Sequence, residues 1–340
     1  MTIPREFAHF LTSLPRAAAR LALGASAACF ALLAAAPVFA QSTPAVPASS
    51  LLDISGVSWM ENDLFVAVHD GKANEEEMDR PRVSLLLLPA DVTTPPQFAR
   101  QAPEGLFYQN LDVAWPSGVP NDLESIARIP DTRSLLLVES GDDCSTSQRI
   151  FRTTLSTSYE LTVDEVAPWP AGPGSLCAGV FNVESSAVFR IAGQLFFVYA
   201  ERAEGLPHTE LRWAKMQTSP LRFGPFSSFR FAARVQGPGM RPLVALDVDP
   251  SGQVYAASAY DSGEDNGPYR SYVSRIGRFR SARGGHAHFV PSGKFADVAQ
   301  QDGYKIEGVA VRPEGGAAEI YAGTDDENYG ATMRKVAPIP

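Results

Sequence analysis

Asp122-Leu123-Glu124-Ser125-Ile126-Ala127-Arg128-Ile129, turned by Pro130-Asp131-Thr132 into Leu135-Leu136-Leu137-Val138-Glu139, is the stretch whose reading decides the fold. Two apolar runs of strand length, split by turn-forming residues, predict a hairpin. The opening phrase returns as Asp53-Ile54-Ser55-Gly56, Asn182-Val183-Glu184-Ser185 and Lys305-Ile306-Glu307-Gly308. Each copy leads into an apolar run, a short turn, a second apolar run and then an acidic residue. A further hairpin, Leu243 to Pro250 turning through Ser251-Gly252 into Val254 to Ser258, fills the remaining interval. Aligned by its turn, it carries Val244 where the others carry Ser55, Glu124, Glu184 and Glu307, at spacings of 69, 60, 60 and 63 residues.

Recurrence at a long, nearly fixed period means copies of one supersecondary unit arranged side by side. Each unit has room for two more strands, such as Val83 to Leu88 with Phe107 to Val113, or Glu210 to Met216 with Ser228 to Val235. Gly and Pro are scattered throughout, and no helical period lasts beyond two turns. The pattern predicts an all-β chain folded as a β-propeller of five blades over residues 51–340, with six as the alternative if a long connection hides a further blade. The last unit has room for three strands only. A strand near Ser49 to Leu52 is expected to supply its fourth and close the circle between N- and C-terminal strands, which removes open edges.

The start of the chain reads as a targeting segment. Arg5, Arg16 and Arg20 precede the apolar run Leu21 to Ala36, and Val38-Phe39-Ala40 resembles a cleavage site. Residues 1–40 are therefore expected to be a signal peptide, a retained membrane anchor being the alternative, and residues 41–50 a flexible leader. Periplasmic or secreted location follows, with no membrane span after processing. Loss of residues 1–40, with three arginines and one glutamate, takes the formal charge from −9 to −11. So acidic a chain lacks the basic footprint that nucleic-acid binding needs. Cys144 and Cys177 remain, and an oxidising compartment points to a disulfide between them worth about 3–4 kcal/mol, with buried free thiols as the alternative. The chain is expected to be monomeric.

The repeat also predicts chemistry. Within a blade the first two strands are antiparallel, so the start of one lies beside the end of the other. The recurring glutamates begin first strands, and His69-Asp70, Glu139-Ser140, Glu201-Arg202, Tyr260-Asp261 and Thr324-Asp325-Asp326 end second strands. All should meet at one mouth of the propeller. Carboxylates about 6 Å apart repel by roughly 3 kcal/mol at an effective dielectric of 20, so a cation, an arginine or a proton must compensate. All-oxygen donors suit Ca2+, and Ser55, Glu124, Glu184 and Glu307 are the expected ligands. The alternative is that each glutamate accepts hydrogen bonds from neighbouring blades and only holds them together. His69, Arg202 and His208 are the candidates for proton transfer and anion contact at a metal acting as a Lewis acid. The ligand at the central mouth is expected to be a small molecule, a phosphoester or a glycan. Two function classes follow: a Ca2+-dependent hydrolase of a phosphoester, ester or lactone, and a non-catalytic envelope propeller that binds a glycan, peptide or protein. Arg278-Phe279-Arg280-Ser281-Ala282-Arg283 is a basic cluster, read as a solvated outer strand.

Asp53-Ile54-Ser55-Gly56-Val57, Asp122-Leu123-Glu124-Ser125-Ile126-Ala127 and Lys305-Ile306-Glu307-Gly308-Val309-Ala310 resemble the blade phrases of exported phytase-like ("esterase-like activity of phytase") bacterial propellers. A looser resemblance is to the calcium-activated nucleotidases (apyrases), which implies five blades and a central Ca2+ held by a Glu or Ser from each. Ser55, Glu124, Glu184 and Glu307 match that alternation, while Val244 departs from it. Gluconolactonase-like propellers, which place Glu, Asn and Asp on a central divalent metal, are similar in logic.

Overall fold

The computed structural model describes residues 52–88, 100–101, 107–141, 148–170, 182–232, 237–314 and 317–336. The expected signal peptide, leader and disulfide (Cys144, Cys177) lie outside them. Among the described residues no helix is long and apolar enough to cross a membrane.

Five antiparallel sheets follow one another along the chain. The first contains β1 (Gly56–Glu61), β2 (Leu64–Val68), β3 (Val83–Leu87), β4 (Arg100–Gln101) and β5 (Phe107–Asn110), in the order β1-β2-β3-β5-β4. The second is β6 (Leu123–Arg128), β7 (Ser134–Glu139), β8 (Arg149–Leu155) and β9 (Leu161–Pro168), in chain order. In the third, β10 (Val183–Ile191) and β11 (Gln194–Glu201) lead to β12 (His208–Thr218), which pairs with both β13 (Leu221–Phe223) and β14 (Ser227–Ala232). The fourth is β15 (Met240–Val248), β16 (Gln253–Tyr260), β17 (Arg270–Ser281) and β18 (Ala287–Asp302). The fifth is β19 (Ile306–Glu314), β20 (Ala317–Thr324) and β21 (Met333–Lys335). The first strands β1, β6, β10, β15 and β19 each touch the next, and β19 returns to β1. That closed ring makes the fold a five-bladed propeller.

Both faces of the inner strands of each sheet are apolar because both are covered. The runs Leu64–Val68, Ser134–Glu139 and Gln194–Glu201 are almost continuously buried. Five apolar layers result, one at each seam between neighbouring blades. Phe189, Trp213, Phe279 and Phe289 fill the third seam, and Val244, Val309, Ile306 and Val336 the fourth. Asp247, half-buried in β15, accepts a hydrogen bond from the Val311 amide of β19 at 2.8 Å and so stitches the fourth seam. The turn after it is local chemistry: Asp249 Oδ1 accepts from the Ser251 and Gln253 amides at 2.8 and 2.9 Å.

Among the described residues, blades five and one are joined by both hydrogen bonds and packing. The Ile54 amide donates to the Thr324 carbonyl at 3.0 Å, and Arg312 Nη1 donates to Asp63 Oδ1 at 2.6 Å. Ile54, Val57, Phe65, Tyr321 and Met333 form the apolar layer there. The expected fourth strand of the last blade lies largely outside the described residues, and Leu52 is not in a strand. Gly323 permits the close approach at this seam, since a Cβ on it would sit 2.6 Å from Ile54 Cγ2. Gly323→Ala is therefore expected to cost about 1–3 kcal/mol by overpacking, read from urea denaturation. Gly293→Ala, where a Cβ meets nothing within 4 Å, is the control and should change stability by less than about 0.5 kcal/mol. Equal stability of the two variants would show that the seam is not tightly packed.

Candidate metal centre at the propeller axis

Each recurring glutamate sits in a β-bulge. Leu123 pairs with Glu139 and Ser125 with Val138, which leaves Glu124 as an extra residue opposite no partner. Glu184 is skipped in the same way between Val183 and Ser185, and Glu307 between Ile306 and Gly308. A bulge breaks the alternation of side chains and re-aims one of them. Here it brings a carboxylate oxygen from each of Glu124, Glu184 and Glu307 within 4.8 Å of the other two. All three residues are buried. Buried acidic groups at this point could hold a metal ion. Ser55 occupies the matching position in blade one, 1% exposed, with its amide on the Val68 carbonyl and its Oγ unpartnered. Ser185 Oγ and Asn182 Oδ1 are likewise buried without a partner.

The ends of the second strands surround this cluster. Asp70 joins Asp122 and Glu124 in a second group of three carboxylates within 4.8 Å, so Glu124 belongs to both. Asp122 accepts from Ser140 Oγ at 2.6 Å and pairs with Lys72. Arg202 Nη1 lies 3.1 Å from Glu184 Oε1, within ion-pair reach but not aligned as a hydrogen bond. Glu139 turns away instead and is held by Arg149 at 2.6 Å.

Blade four departs from the sequence alignment. Val244 lies in the apolar fourth seam. Arg241 pairs with Ala259 and Ala245 with Ala257, so the strand carries extra residues after Arg241. Arg241 enters the site in place of a carboxylate. Its Nη1 donates to Glu307 Oε1 at 2.8 Å, its Nη2 lies 2.9 Å from Asp261 Oδ2, and its Nε lies 3.4 Å from Glu204 Oε2. Lys305, 2% exposed, sits beside it. Its Nζ is 2.5 Å from Asp325, 3.8 Å from Glu307 and 3.9 Å from Asp261, and it also pairs with Glu327.

The electrostatics divide the centre in two. Burial raises the pKa of Glu184, with Arg202 and Arg241 opposing it. Burial pushes Glu307 well above the usual carboxylate range, with Asp325 adding and Lys305 opposing. Glu124 is also raised well above it, by burial and then by Glu184, Asp122, Asp70 and Glu307, with no ion pair to a cation among the described residues. Burial, Asp325 and Asp70 raise Asp53 to about 8, and burial with Asp325 raises Asp70 to about 6. Lys305 and Arg241 lose hydration by burial, but the acids around them outweigh that loss and hold both above their ordinary values.

The expected proton-transfer residues are not brought together. His69 is buried inside blade one: its Nδ1 donates to the Asp53 carbonyl at 2.8 Å, and its Nε2 is 2.8 Å from Ser84 Oγ. Burial lowers its pKa to about 4. With both nitrogens engaged it fastens strand ends beside Asp53 and Asp70. His208 begins β12, exposed, opposite Ala232 and outside the carboxylate groups. Arg202 does reach the cluster, as the counter-ion of Glu184. Arg241 escaped the sequence reading because an irregular strand hides its register. Lys305 was in plain view, two residues before Glu307, at the slot held elsewhere by Asp53, Asp122 and Asn182.

No family model and no curated protein matches the chain. Solved structures align with the chain at low identity. An exo-1,5-α-L-arabinanase from a bovine ruminal metagenomic library is 13% identical with a TM-score of 0.44, covering 84% of this chain and 93% of that one. An α-L-arabinanase of Cellvibrio cellulosa is 11% identical with a TM-score of 0.44, covering 84% and 91%. A putative 6-phosphogluconolactonase from Bacteroides uniformis is 14% identical with a TM-score of 0.36, covering 87% and 89%. At these levels the likeness assigns no activity, and the phytase-like resemblance stands on its short phrases alone.

Proposed function

We propose that this chain is an exported propeller that binds Ca2+ at its axis and hydrolyses a phosphoester, carboxyl ester or lactone at the adjoining mouth. One observation carries the reading: three buried carboxylates from three blades converge, and the one shared by both acidic groups, Glu124, has no counter-cation among the described residues. The donor set supports the choice of ion. Glu124, Glu184, Glu307 and the unpartnered Ser55 Oγ are hard oxygen donors, which favour Ca2+ over zinc or copper. Bound there, Ca2+ would supply Lewis-acid polarisation of a phosphoryl or carbonyl oxygen.

The chain's own residues would do the rest. Arg241 and Lys305 hold Glu307 in place and oppose the rise that burial imposes on its pKa. Arg202 is the most exposed of the three cations at the cluster, at 28% against 13% and 2%, and would meet an anionic oxygen of the substrate. Asp70, at about pKa 6 beside Glu124, is poised to accept a proton from water near neutral pH. A second reading, an envelope propeller that binds a glycan, peptide or protein without chemistry, is favoured by the absence of any imidazole from the carboxylate groups.

Titration calorimetry on chelator-treated protein is expected to give a Ca2+ Kd below about 1 mM. Glu124→Gln and Glu307→Gln should each weaken it by at least about tenfold. Absence of both heat and thermal shift would remove the metal centre. Ca2+-dependent turnover of a phosphoester, ester or lactone, lost in Glu124→Gln and kept in His208→Ala, supports the hydrolase. Intact Ca2+ binding with no turnover supports the binder.

Proton and metal should compete for the same charge. A carboxyl whose folded pKa exceeds its unfolded value stabilises fully below the unfolded pKa, and that contribution is lost as pH rises through the folded one. Asp70 at about 6, Asp247 and Asp326 at about 7 and Asp53 at about 8 all behave so. His69 at about 4 acts in the opposite sense and is outnumbered. The Tm of chelated protein is therefore expected to fall between about pH 5 and pH 8, and Ca2+ should flatten the slope. A Tm that rises over that interval without metal would contradict the assignment.

A further inference from the structure

Arg275, Arg278, Arg280 and Arg283 gather on β17, the third strand of blade four, and the turn that leads from it to β18. Pairing fixes which way they face. Gln253 lies opposite Arg278 and Tyr255 opposite Arg275, and residues two apart on β16 share a face. Across β18, Arg278 opposes Val290 and Arg280 opposes His288. Directly opposed residues share a face as well, so Arg275, Arg278, Arg280, His288 and Val290 form one surface. Phe279 and Phe289 take the other face and pack into the seam with blade three.

This surface is unneutralised. Arg152, Arg212 and Arg270, on the third strands of blades two, three and four, each hold a carboxylate. Arg275, Arg278, Arg280 and Arg283 pair with none among the described residues. The Asp249 carboxylate on the neighbouring turn keeps its charge, but its hydrogen bonds go to Ser251 and Gln253 and it pairs with none of these arginines. Val290, 38% exposed, is one of the few large apolar side chains open to solvent among the described residues.

The patch also lies at the opposite end of the blade from the acidic mouth. β16 ends at the mouth with Tyr260, which pairs with Arg270 at the start of β17, whereas Arg278 pairs with Gln253 at the far end. On blade four, positive charge and an apolar side chain therefore occupy the end away from the buried carboxylates. In a chain of formal charge −9, that separation turns the molecule in an electric field.

We propose that this rim docks on an anionic phospholipid surface, with the axial mouth turned away from the bilayer. Arginines on one face answer the phosphate layer, and Val290 beside them suits the edge of the acyl region. A soluble polyanion would use the arginines and leave Val290 without a role.

The test is co-sedimentation of the full chain with phosphatidylglycerol vesicles and with phosphatidylcholine vesicles. The apolar N-terminal run contributes to both, so the difference between them reports the patch. Preference for phosphatidylglycerol is expected at about 0.05 M salt and should vanish near 0.5 M. The double variant Arg278→Glu/Arg280→Glu should lose at least about tenfold of the anionic binding. An unchanged melting temperature and unchanged Ca2+ titration would confirm that it remains folded. Equal binding to both vesicles, or a double variant that binds like wild type, overturns the proposal. So does tight, patch-dependent binding to dextran sulfate with no preference between vesicles, since the surface would then read a soluble polyanion.

Discussion

Mutual repulsion among buried carboxylates is the constraint around which this propeller is arranged. Oxygens of Glu124, Glu184 and Glu307 within 4.8 Å of one another repel by about 3 kcal/mol per ionised pair at an effective dielectric of about 20. The fold does not relieve that repulsion by spreading the groups apart. It enforces it, because each glutamate is the skipped residue of a bulge at the same level of its blade. Apolar seams between blades then hold the bulges in register, since sliding one blade would open a packed layer such as Phe189 on Phe279.

Compensation is uneven around the axis. Blades three to five bring Arg202, Arg241 and Lys305 to Glu184 and Glu307. Blades one and two bring Lys72, half exposed, to Asp122 and leave Glu124 among acids. Buried ion pairs stabilise little in net terms, because desolvation offsets attraction. Their use here is positional: they hold Glu184 and Glu307 in place, whereas Glu124 makes no ion pair among the described residues.

Much of the fold was legible because its signals are local. Turn residues such as Asp131, with φ of 65°, and Gly252, with φ of 84°, sit between apolar runs and mark hairpins directly. The convergence of Glu124, Glu184 and Glu307 followed from their shared place in the repeat and needed no contact information. Arg241 was hidden because extra residues between it and Ala245 break the register that alignment by the turn assumes. The surroundings of His69 were hidden for a different reason. A histidine at a strand end looks available in sequence, and only packing reveals that Asp53 and Ser84 occupy both of its nitrogens. Asp70 and Asp122 stood in the quoted phrases, yet their union with Glu124 depends on two neighbouring blades meeting, which a single copy of the repeat does not show.

Anomalous diffraction from crystals soaked in a lanthanide that mimics Ca2+ tests the central claim most directly. The expected result is one strong peak on the axis, bounded by Glu124, Glu184 and Glu307 with Ser55 Oγ facing it. Density showing those glutamates joined only to Arg202, Arg241, Lys305 and water, with no peak between them, would contradict the account.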